Sequence, residues 1–299
     1  MADGSPPREP ASLRPAHEPA MVAEVVELLR DRSVVLDMTV GAGGHAAALL
    51  EAGVEQVIGV DRDAEALALA RERLARYGDR FRTVHRRFSQ VGEAEAMGPL
   101  HGVLFDLGVS SMQLDRAERG FGYRVDGPLD MRMGEGEVTA ADLVNDLPEP
   151  ELADLLFELG GERRSRRIAR TIARARARAR IETTDQLTSV VVSAVGRRPG
   201  GPHPARRTFQ ALRIAVNREL EELTASLPRA VGLLGPGGRV VVISYHSLED
   251  GIVKRSFRDD DRLRVLTKKP LIPSAEELAR NPRARSAKLR AAERLSEAA

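Results

Sequence analysis

The stretch VVLDMTVGAGGHAAALL, residues 34–50, restricts the fold of this chain more than any other. An apolar segment, Val34–Asp37, runs into a glycine cluster and then into helix-forming alanine and leucine. A strand, a glycine-rich turn and a helix in this order are typical of the ligand-binding unit of a parallel α/β sheet. Gly41, Gly43 and Gly44 have no Cβ atom, so the main chain can turn tightly and approach a ligand closely. The sequence therefore predicts a small-molecule site at this turn.

The alternation of strands and helices continues beyond this turn. VEQVIGVDRD predicts a buried strand that ends at Asp61, and DAEALALARERLARYG predicts a helix that is capped by Asp63 and ends before Gly78. RFRTVHRRF and HGVLFDLGVSS predict two further strands. From Ser110 to about Thr208 the periodicity indicates helices and no strand. The alternation then resumes. The sequence predicts one long amphipathic helix within TFQALRIAVNRELEELTASLPRAVGLL, then the turn GPGG and the strand RVVVISYHS. This order predicts an α/β fold with a mostly parallel twisted sheet and an inserted, mainly helical domain.

Two kinds of ligand fit the glycine turn. GAGGHA, with Asp61 about twenty residues later, matches the dinucleotide pattern of NAD- or FAD-dependent oxidoreductases. A pyrophosphate, however, does not favour the extra negative charge of Asp37, which lies four residues before Gly41. A carboxylate there suits a ligand that carries an ammonium and a sulfonium. Another strand ends at Asp106, and residues 233–243, LLGPGGRVVVI, resemble the turn before strand five of Rossmann-like methyltransferases. The pattern favours S-adenosylmethionine and leaves the oxidoreductase as the alternative.

The positive charge of the chain is concentrated in one region. Residues 161–218 hold 15 arginines against three acids, a local charge of +12, so the rest of the chain carries −10 within a total of +2. Since only 3% of the residues are aromatic, contacts to phosphates should outweigh base stacking if the partner is RNA. One interpretation of this region is a site for a polyphosphate partner, and the other is a solvated helix face. The candidate RNA-binding residues are Arg163, Arg164, Arg166, Arg167, Arg170, Arg174, Arg176, Arg178, Arg206 and Arg207.

The absence of certain residues excludes several classes of protein. There is no cysteine, which excludes disulfides and thiolate metal sites and indicates a reducing compartment, so we expect a cytoplasmic protein. No apolar run approaches the roughly 18 residues that a membrane span needs. The proline-rich start lacks the apolar block of a signal peptide, and we expect residues 1–15 to form a flexible tail.

Seven blocks of sequence together resemble one known family. They are HEPAMVAEVVELL, DMTVGAGGHAAALL, VIGVDRDAEAL, FDLGVSSMQLDRAERGFGYRVDGPLDMRM, HPARRTFQALRIAVNREL, GGRVVVISYHSLEDGIVKRSF and NPRARSAKLR. In this order they are similar to the bacterial 16S ribosomal RNA (cytosine-N4)-methyltransferase family, RsmH, formerly MraW, from about His17 to Arg290. The resemblance implies S-adenosylmethionine as cofactor and 16S ribosomal RNA, within the small ribosomal subunit at its decoding centre, as substrate.

The break in the strand–helix alternation gives the domain limits, and the resemblance implies site residues. Residues 16–111 and 209–299 would form a discontinuous methyltransferase core, and residues 112–208 an inserted, arginine-rich domain that recognises RNA. By resemblance, the cofactor-binding residues are Gly43, Gly44, His45, Asp61, Phe88, Asp106 and Gln113, to which the residue pattern adds Asp37 and Gly41. The chain departs from the family at Met112, where proline is common, and in TVGAGGH, where many members have phenylalanine.

The chemistry of an exocyclic amine indicates which residues could be catalytic. The lone pair of the cytosine amine is delocalised into the ring, so an acceptor for one N–H bond would activate it. Asp106 lies where such an acceptor is needed. The following segment, DLGVSS, has neither the proline nor the aromatic residue of DNA amino-methyltransferases, so Ser110, Ser111, Tyr245 and His246 are candidates to hold the base. The alternative for Tyr245 and His246 is a structural pair at a strand end.

Further possibilities stay open at this stage. His45 has no second histidine or carboxylate at ligand spacing, so we expect no metal site. An RNA-binding assembly factor without catalysis is a third functional hypothesis, although the presence of Asp106 disfavours it. The sequence also leaves a homodimer open.

Overall fold

The computed structural model describes residues 19–96, 98–110, 113–114, 116–134, 136, 138–197 and 199–296. The expected tail at residues 1–15, Ser111 and Met112 lie outside the described residues, as does the proposed domain limit between 111 and 112.

Within these described ranges, seven strands form a single sheet. They are β1 Val34–Asp37, β2 Gln56–Asp61, β3 Phe81–His85, β4 Leu100–Asp106, β5 Leu234–Ser244, β6 Leu263–Val265 and β7 Lys288–Arg294. The spatial order is β3-β2-β1-β4-β5-β7-β6. The first five strands pair in parallel, and β7 runs antiparallel to both β5 and β6. The predicted α/β class with a mostly parallel sheet is therefore confirmed.

The helices that belong with the sheet lie before and between its strands. They are α1 Val22–Leu29, α2 Gly44–Glu51, α3 Ala64–Leu74, α4 Glu93–Ala96, α10 Glu219–Leu233, α11 Ser247–Asp259 and α12 Ala275–Arg280. Alternate strand residues point into two separate apolar clusters: Val35 packs with α1 and α2, whereas Leu36 packs with α10. Because successive strand side chains point to opposite faces, the sheet is covered on both sides.

Local sequence explains where these elements begin and end. The bounds of β1 and the end of β2 at Asp61 agree with the prediction. Asp63 caps α3 as expected, because its side chain accepts the backbone N–H of Glu65 at 3.1 Å. The predicted turn GPGG is instead part of β5, where the pairing with β4 shifts register between Leu100 and Gly102.

Five helices form a separate helical cluster. They are α5 Ala140–Asp146, α6 Glu149–Glu158, α7 Ser165–Arg176, α8 Thr184–Val195 and α9 Arg206–Asn217. Thr139 and Thr183 each form a capping box with the residue three positions later, which fixes the start of α5 and α8. Their apolar faces enclose a third core that includes Ile168, Leu187 and Leu212. None of the helices in the described ranges has the length and apolar character needed to cross a membrane.

The predicted long amphipathic helix is in fact two helices. Arg218 adopts a left-handed backbone conformation with φ 50°, which ends α9 and begins α10. Phe209 and Leu212 of α9 pack in the helical cluster. The expected domain limit at 208/209 consequently falls inside α9. Because α9 packs in the helical cluster and α10 packs on the sheet, the boundary between the two lies at Arg218.

Candidate active site

A cleft of about 330 Å³ opens at the carboxyl ends of the parallel strands. Thr39 follows β1, Arg62 follows β2, Leu107 follows β4 and Tyr245 follows β5, and all four line it. Ligands of open α/β sheets bind at this edge, beside the point where the strand order reverses. Here the order reverses between β1 and β4, which agrees with the position of the cleft.

The glycine turn forms one wall of the cleft. Gly41 and Gly43 have φ of +52° and +79°, a conformation that favours glycine. A Cβ atom on Gly44 would lie 2.3 Å from Cγ of Pro19, so the chain at Pro19 packs directly on this residue. Gly41 and Gly44 line the cleft, whereas Gly43 faces Leu74 of α3.

Asp61 and Phe88 occupy the side of the cleft next to β2 and β3. The Asp61 carboxylate accepts the backbone N–H groups of Gly41 and Asp63, both at 2.9 Å. Burial raises the pKa of Asp61, and these hydrogen bonds oppose the rise. The Phe88 ring lines the cleft and packs edge-to-face on Phe105, with ring centres 5.8 Å apart. An acid at the end of the second strand and a ring after the third fit the ribose and the base of an adenosine.

Asp37 lies below the turn and outside the cleft wall. Its side chain is only 1% exposed, and one carboxylate oxygen accepts the backbone N–H of Thr39 at 3.1 Å. Burial raises the pKa of Asp37 to about 7, although His45 opposes the rise. The structure thus places Asp37 where it supports the turn, and it does not support the direct contact with a cationic ligand that the sequence predicted.

Asp106 lines the cleft, and two side chains approach its carboxylate. The Tyr245 hydroxyl donates a hydrogen bond to its Oδ1 at 2.8 Å, and His45 Nδ1 lies 3.6 Å from its Oδ2. His45 Nε2 donates to the backbone carbonyl of Ala20 at 2.9 Å, since a carbonyl can only accept. Burial raises the pKa of Asp106, while His45 and the Tyr245 hydrogen bond lower it. The hydroxyl of Tyr245, which follows β5, therefore fixes one oxygen of the carboxylate, and His45, at the start of α2, lies beside the other.

Ser110 and Gln113 form a reciprocal pair on the loop that follows β4. The Ser110 N–H donates to Gln113 Oε1 at 3.1 Å, and the Gln113 N–H donates to Ser110 Oγ at 3.2 Å. Gln113 Nε2 also donates to Asp63 Oδ2 at 3.3 Å. Both residues line the cleft, and these bonds fix the loop against the start of α3.

Comparison with known proteins identifies the family. A model described as the MraW methylase family matches residues 14–295. The chain belongs to this family. "Ribosomal RNA small subunit methyltransferase H" of Geobacter sulfurreducens is 51% identical over 308 residues, covering 94% of this chain and 99% of the relative. The protein of the same name from Sorangium cellulosum is 50% identical over 298 residues, covering 97% and 94%. The resemblance predicted from the sequence is confirmed.

A solved structure, an rRNA methylase from Streptococcus thermophilus, is more distant. It is 13% identical, covers 92% of this chain and 94% of that chain, and has a TM-score of 0.43.

The two residues after β5 have different surroundings in this MraW-family chain. Tyr245 lines the cleft, whereas His246 does not. His246 caps α11: its Nδ1 accepts the N–H of Glu249 at 3.4 Å, and its Nε2 lies 3.2 Å from Glu249 Oε1. These contacts favour the structural interpretation of His246 over the catalytic one.

Glu249 is a site residue that the sequence reasoning missed. It lines the cleft and accepts the N–H groups of Tyr245 at 2.8 Å and His246 at 3.2 Å. Burial raises its pKa, but hydrogen bonds and charge from His246, with the charge of Arg213, leave it lowered overall. Its position three residues after a helix start was the available signal, because an acid there completes a capping box.

Glu219, His246 and Glu249 bring one ligand atom each within 4.8 Å of one another. Arg213, however, donates to both carboxylate oxygens of Glu219, at 2.8 and 2.9 Å. An ion pair and a helix cap thus account for this cluster. The expected lack of a metal stays a prediction.

Asn217 is a second cleft residue that the sequence analysis did not predict. Its Oδ1 accepts the N–H of Met133 at 2.9 Å, and its Nδ2 donates to the carbonyl of Met131 at 2.8 Å. Met133 and Asn217 both line the cleft. Asn217 therefore ties the segment that covers the cleft to the break between α9 and α10, a contact that no local pattern indicates.

The candidate RNA-binding arginines differ in their surroundings. Nine of the ten are exposed, and Arg176 is half-buried. Arg176 donates to the carbonyls of Val144 at 2.7 Å and Leu147 at 2.6 Å, so it satisfies the end of α5. Arg164 donates to the carbonyl of Val195 at 2.8 Å, and Arg170 lies 3.7 Å from Glu149. Within the described ranges no ion pair involves Arg163, Arg166, Arg167, Arg174, Arg178, Arg206 or Arg207.

Proposed function

We propose that this MraW-family protein methylates the exocyclic N4 amine of a cytidine in 16S ribosomal RNA, using S-adenosylmethionine. We further propose that it acts in the cytoplasm on RNA within the small ribosomal subunit. The observation that carries the proposal is the hydrogen-bonded pair of Asp106 and Tyr245, in the same cleft as Asp61. The name shared by the relatives, a ribosomal RNA small subunit methyltransferase, supports the class of substrate.

The residues of the cleft fit this cofactor. Asp61 would accept hydrogen bonds from ribose hydroxyls, Phe88 would pack on the adenine, and the bare backbone at Gly41 would adjoin the methionine part. The turn at Gly41 is already fixed, because its N–H donates to the same carboxylate that would hold the ribose. Bound here, S-adenosylmethionine supplies an electrophilic methyl group on a sulfonium.

The protein's contribution to the reaction is position and proton acceptance. Asp106 would accept one N–H of the cytosine amine and so localise the lone pair on nitrogen. Since burial raises the pKa of Asp106, its carboxylate is a stronger base than an exposed one and can take the proton that the amine loses. Tyr245 holds the carboxylate in one orientation through its hydroxyl, and alignment of reactants can contribute roughly 7–11 kcal/mol.

Labelled methyl donor tests the activity directly. The protein is incubated with assembled small subunits, or with naked 16S ribosomal RNA, and the modified nucleotide and atom are located. We expect label on the N4 atom of one cytidine, and a loss of at least about 100-fold in the methyl-transfer rate of Asp106→Asn at saturating cofactor. Label on another atom, or wild-type turnover by Asp106→Asn, would contradict the proposed chemistry.

We propose that the exposed arginines in and next to α7, and those at the start of α9, bind RNA phosphates. Arg174 and Arg178 have no ion pair within the described ranges, whereas Arg176 is engaged with α5. Replacing Arg174 and Arg178 with glutamine should weaken RNA binding and flatten its salt dependence, because fewer counterions are released. Arg176→Gln should instead lower the unfolding temperature with a smaller effect on RNA. Equal RNA affinity of the double variant and the wild type would refute this surface.

A further inference from the structure

Away from the cleft, aromatic and basic side chains come together at the helical cluster. The rings of Tyr123 and His203 stack, with centres 4.7 Å apart and planes 16° apart. Phe209 of α9 packs edge-on against Tyr123 at 5.7 Å, which holds the stacked pair against the helical core. Arg124 follows Tyr123 in the chain and is exposed, and none of these four side chains lines the cleft.

Both ring nitrogens of His203 face hydrogen-bond donors. The Ala205 N–H donates to Nδ1 at 3.2 Å, and the Arg197 guanidinium Nη2 lies 2.8 Å from Nε2. Backbone N–H and guanidinium groups can only donate, and a neutral imidazole has one lone pair and one N–H. In either tautomer, one of the two contacts therefore brings two donors together. The cluster has one acceptor too few.

The charge around His203 is positive. Burial lowers its pKa, and the charges of Arg197 and then Arg124 lower it further, with no opposing contribution from the acids of the described chain. Asp126 is near in sequence, but it accepts the Asp185 N–H at 3.0 Å. Surplus donors and uncompensated positive charge are the properties of an anion site.

We propose that Arg124, Arg197 and His203 bind one phosphate group of the RNA backbone, with the Tyr123 ring supporting the imidazole. A phosphate oxygen can accept from both Arg197 and His203, which removes the contact between donors. The site adjoins α9, a helix of 12 residues whose N-terminal end adds positive potential. This inference rests on the proposed RNA-binding function, because it places a specific contact beside the arginine surface that ends at Arg206 and Arg207.

Single substitutions in the full-length protein test the site. Binding of a labelled single-stranded RNA oligonucleotide of mixed sequence is measured over a series of KCl concentrations. Arg197→Gln and Arg124→Gln should each weaken binding about 3- to 10-fold and reduce the salt slope by about 0.7, the value for one lost phosphate contact. The matched control is Arg30→Gln. Arg30 is exposed and lies between α1 and β1, at the amino ends of the parallel strands, which is the end away from the cleft. The control should leave both quantities unchanged.

Histidine labelled with ¹⁵N provides a direct readout that separates RNA from a free anion. The Nε2 signal of His203 should move on addition of the oligonucleotide and should move less in Arg197→Gln. If inorganic phosphate moves the signal while Arg197→Gln binds RNA like the wild type, the site takes only a free anion and the proposal fails.

The pattern of failure is informative. If the Arg174 and Arg178 double variant loses RNA affinity but Arg197→Gln and Arg124→Gln do not, this inference alone is wrong. If none of these variants loses affinity, the proposed RNA surface is wrong as well.

Discussion

Removing the Tyr245 hydroxyl should slow methyl transfer while leaving the cofactor site intact. In Tyr245→Phe the ring stays, but Asp106 Oδ1 loses the hydrogen bond that it accepts at 2.8 Å. A hydrogen bond to a charged group is worth about 1.5–3 kcal/mol. If the full value is expressed in the transition state, the rate constant kcat falls about 10- to 100-fold.

The pH dependence of the same variant identifies the cause. Tyr245 lowers the pKa of Asp106, so its removal lets burial raise that pKa further. The base must be deprotonated, and we therefore expect the acidic limb of the kcat profile to move to higher pH. The loss should be largest at low pH and partly recovered as pH rises. A purely structural role for Tyr245 would lower kcat equally at every pH.

Tyr77→Phe is the matched control, because the exposed Tyr77 hydroxyl donates to Glu51 at 3.2 Å, and neither residue lines the cleft. It should leave kcat and the profile unchanged. A kcat for Tyr245→Phe within twofold of the wild type, with an unmoved acidic limb, would refute the reasoning.

Two further variants test the support of the glycine turn. Asp37 has a pKa of about 7 in the folded protein against 3.8 as the ordinary value, so its stabilising contribution is complete below about pH 4 and is lost as pH rises through about 7. Asp37→Asn should lack this pH-dependent loss of stability, which is at most about 4 kcal/mol. Thermal unfolding of both proteins at pH 5 and pH 8 measures the loss. If the unfolding temperatures of the two proteins change equally between these pH values, the burial argument is wrong. Gly44→Ala should push Pro19 away and weaken S-adenosylmethionine binding about 10-fold, since overpacking costs about 1–3 kcal/mol. Calorimetry measures the affinity, with Gly92→Ala, whose added Cβ meets nothing closer than 3.8 Å, as the control that should be unaffected.

The sequence predicted the sheet well because burial leaves a strong local signal in parallel strands. Val34–Asp37 is apolar up to its last residue, and the prediction located both ends of this strand. The break at Arg218 could not be predicted in this way, because the apolar periodicity continues through it. The break is stabilised by the bonds from Asn217 to Met131 and Met133, which are more than 80 residues away in the chain.

The site was predictable where function follows from position at a strand end. Asp61 and Asp106 end β2 and β4, and both line the cleft. Asp37 also ends a strand, yet it is 1% exposed, since the turn packs over it. A carboxylate at a strand end can thus face a ligand or support the loop above it, and only the path of that loop decides between the two.

The separation of the two clusters implies that chemistry and RNA affinity can be altered independently. Asp106 accepts the hydroxyl of Tyr245, just after β5, and lies beside His45, at the start of α2, both parts of the sheet domain. Glu249 then fixes the backbone of Tyr245 to the first turn of α11. The exposed arginines lie on or next to helices whose apolar faces pack in the third core, and Asn217, at the end of α9, bonds to the cleft residue Met133. Substitutions at Asn217 should therefore be the ones that change kcat and RNA affinity together, whereas substitutions on either side should change one alone.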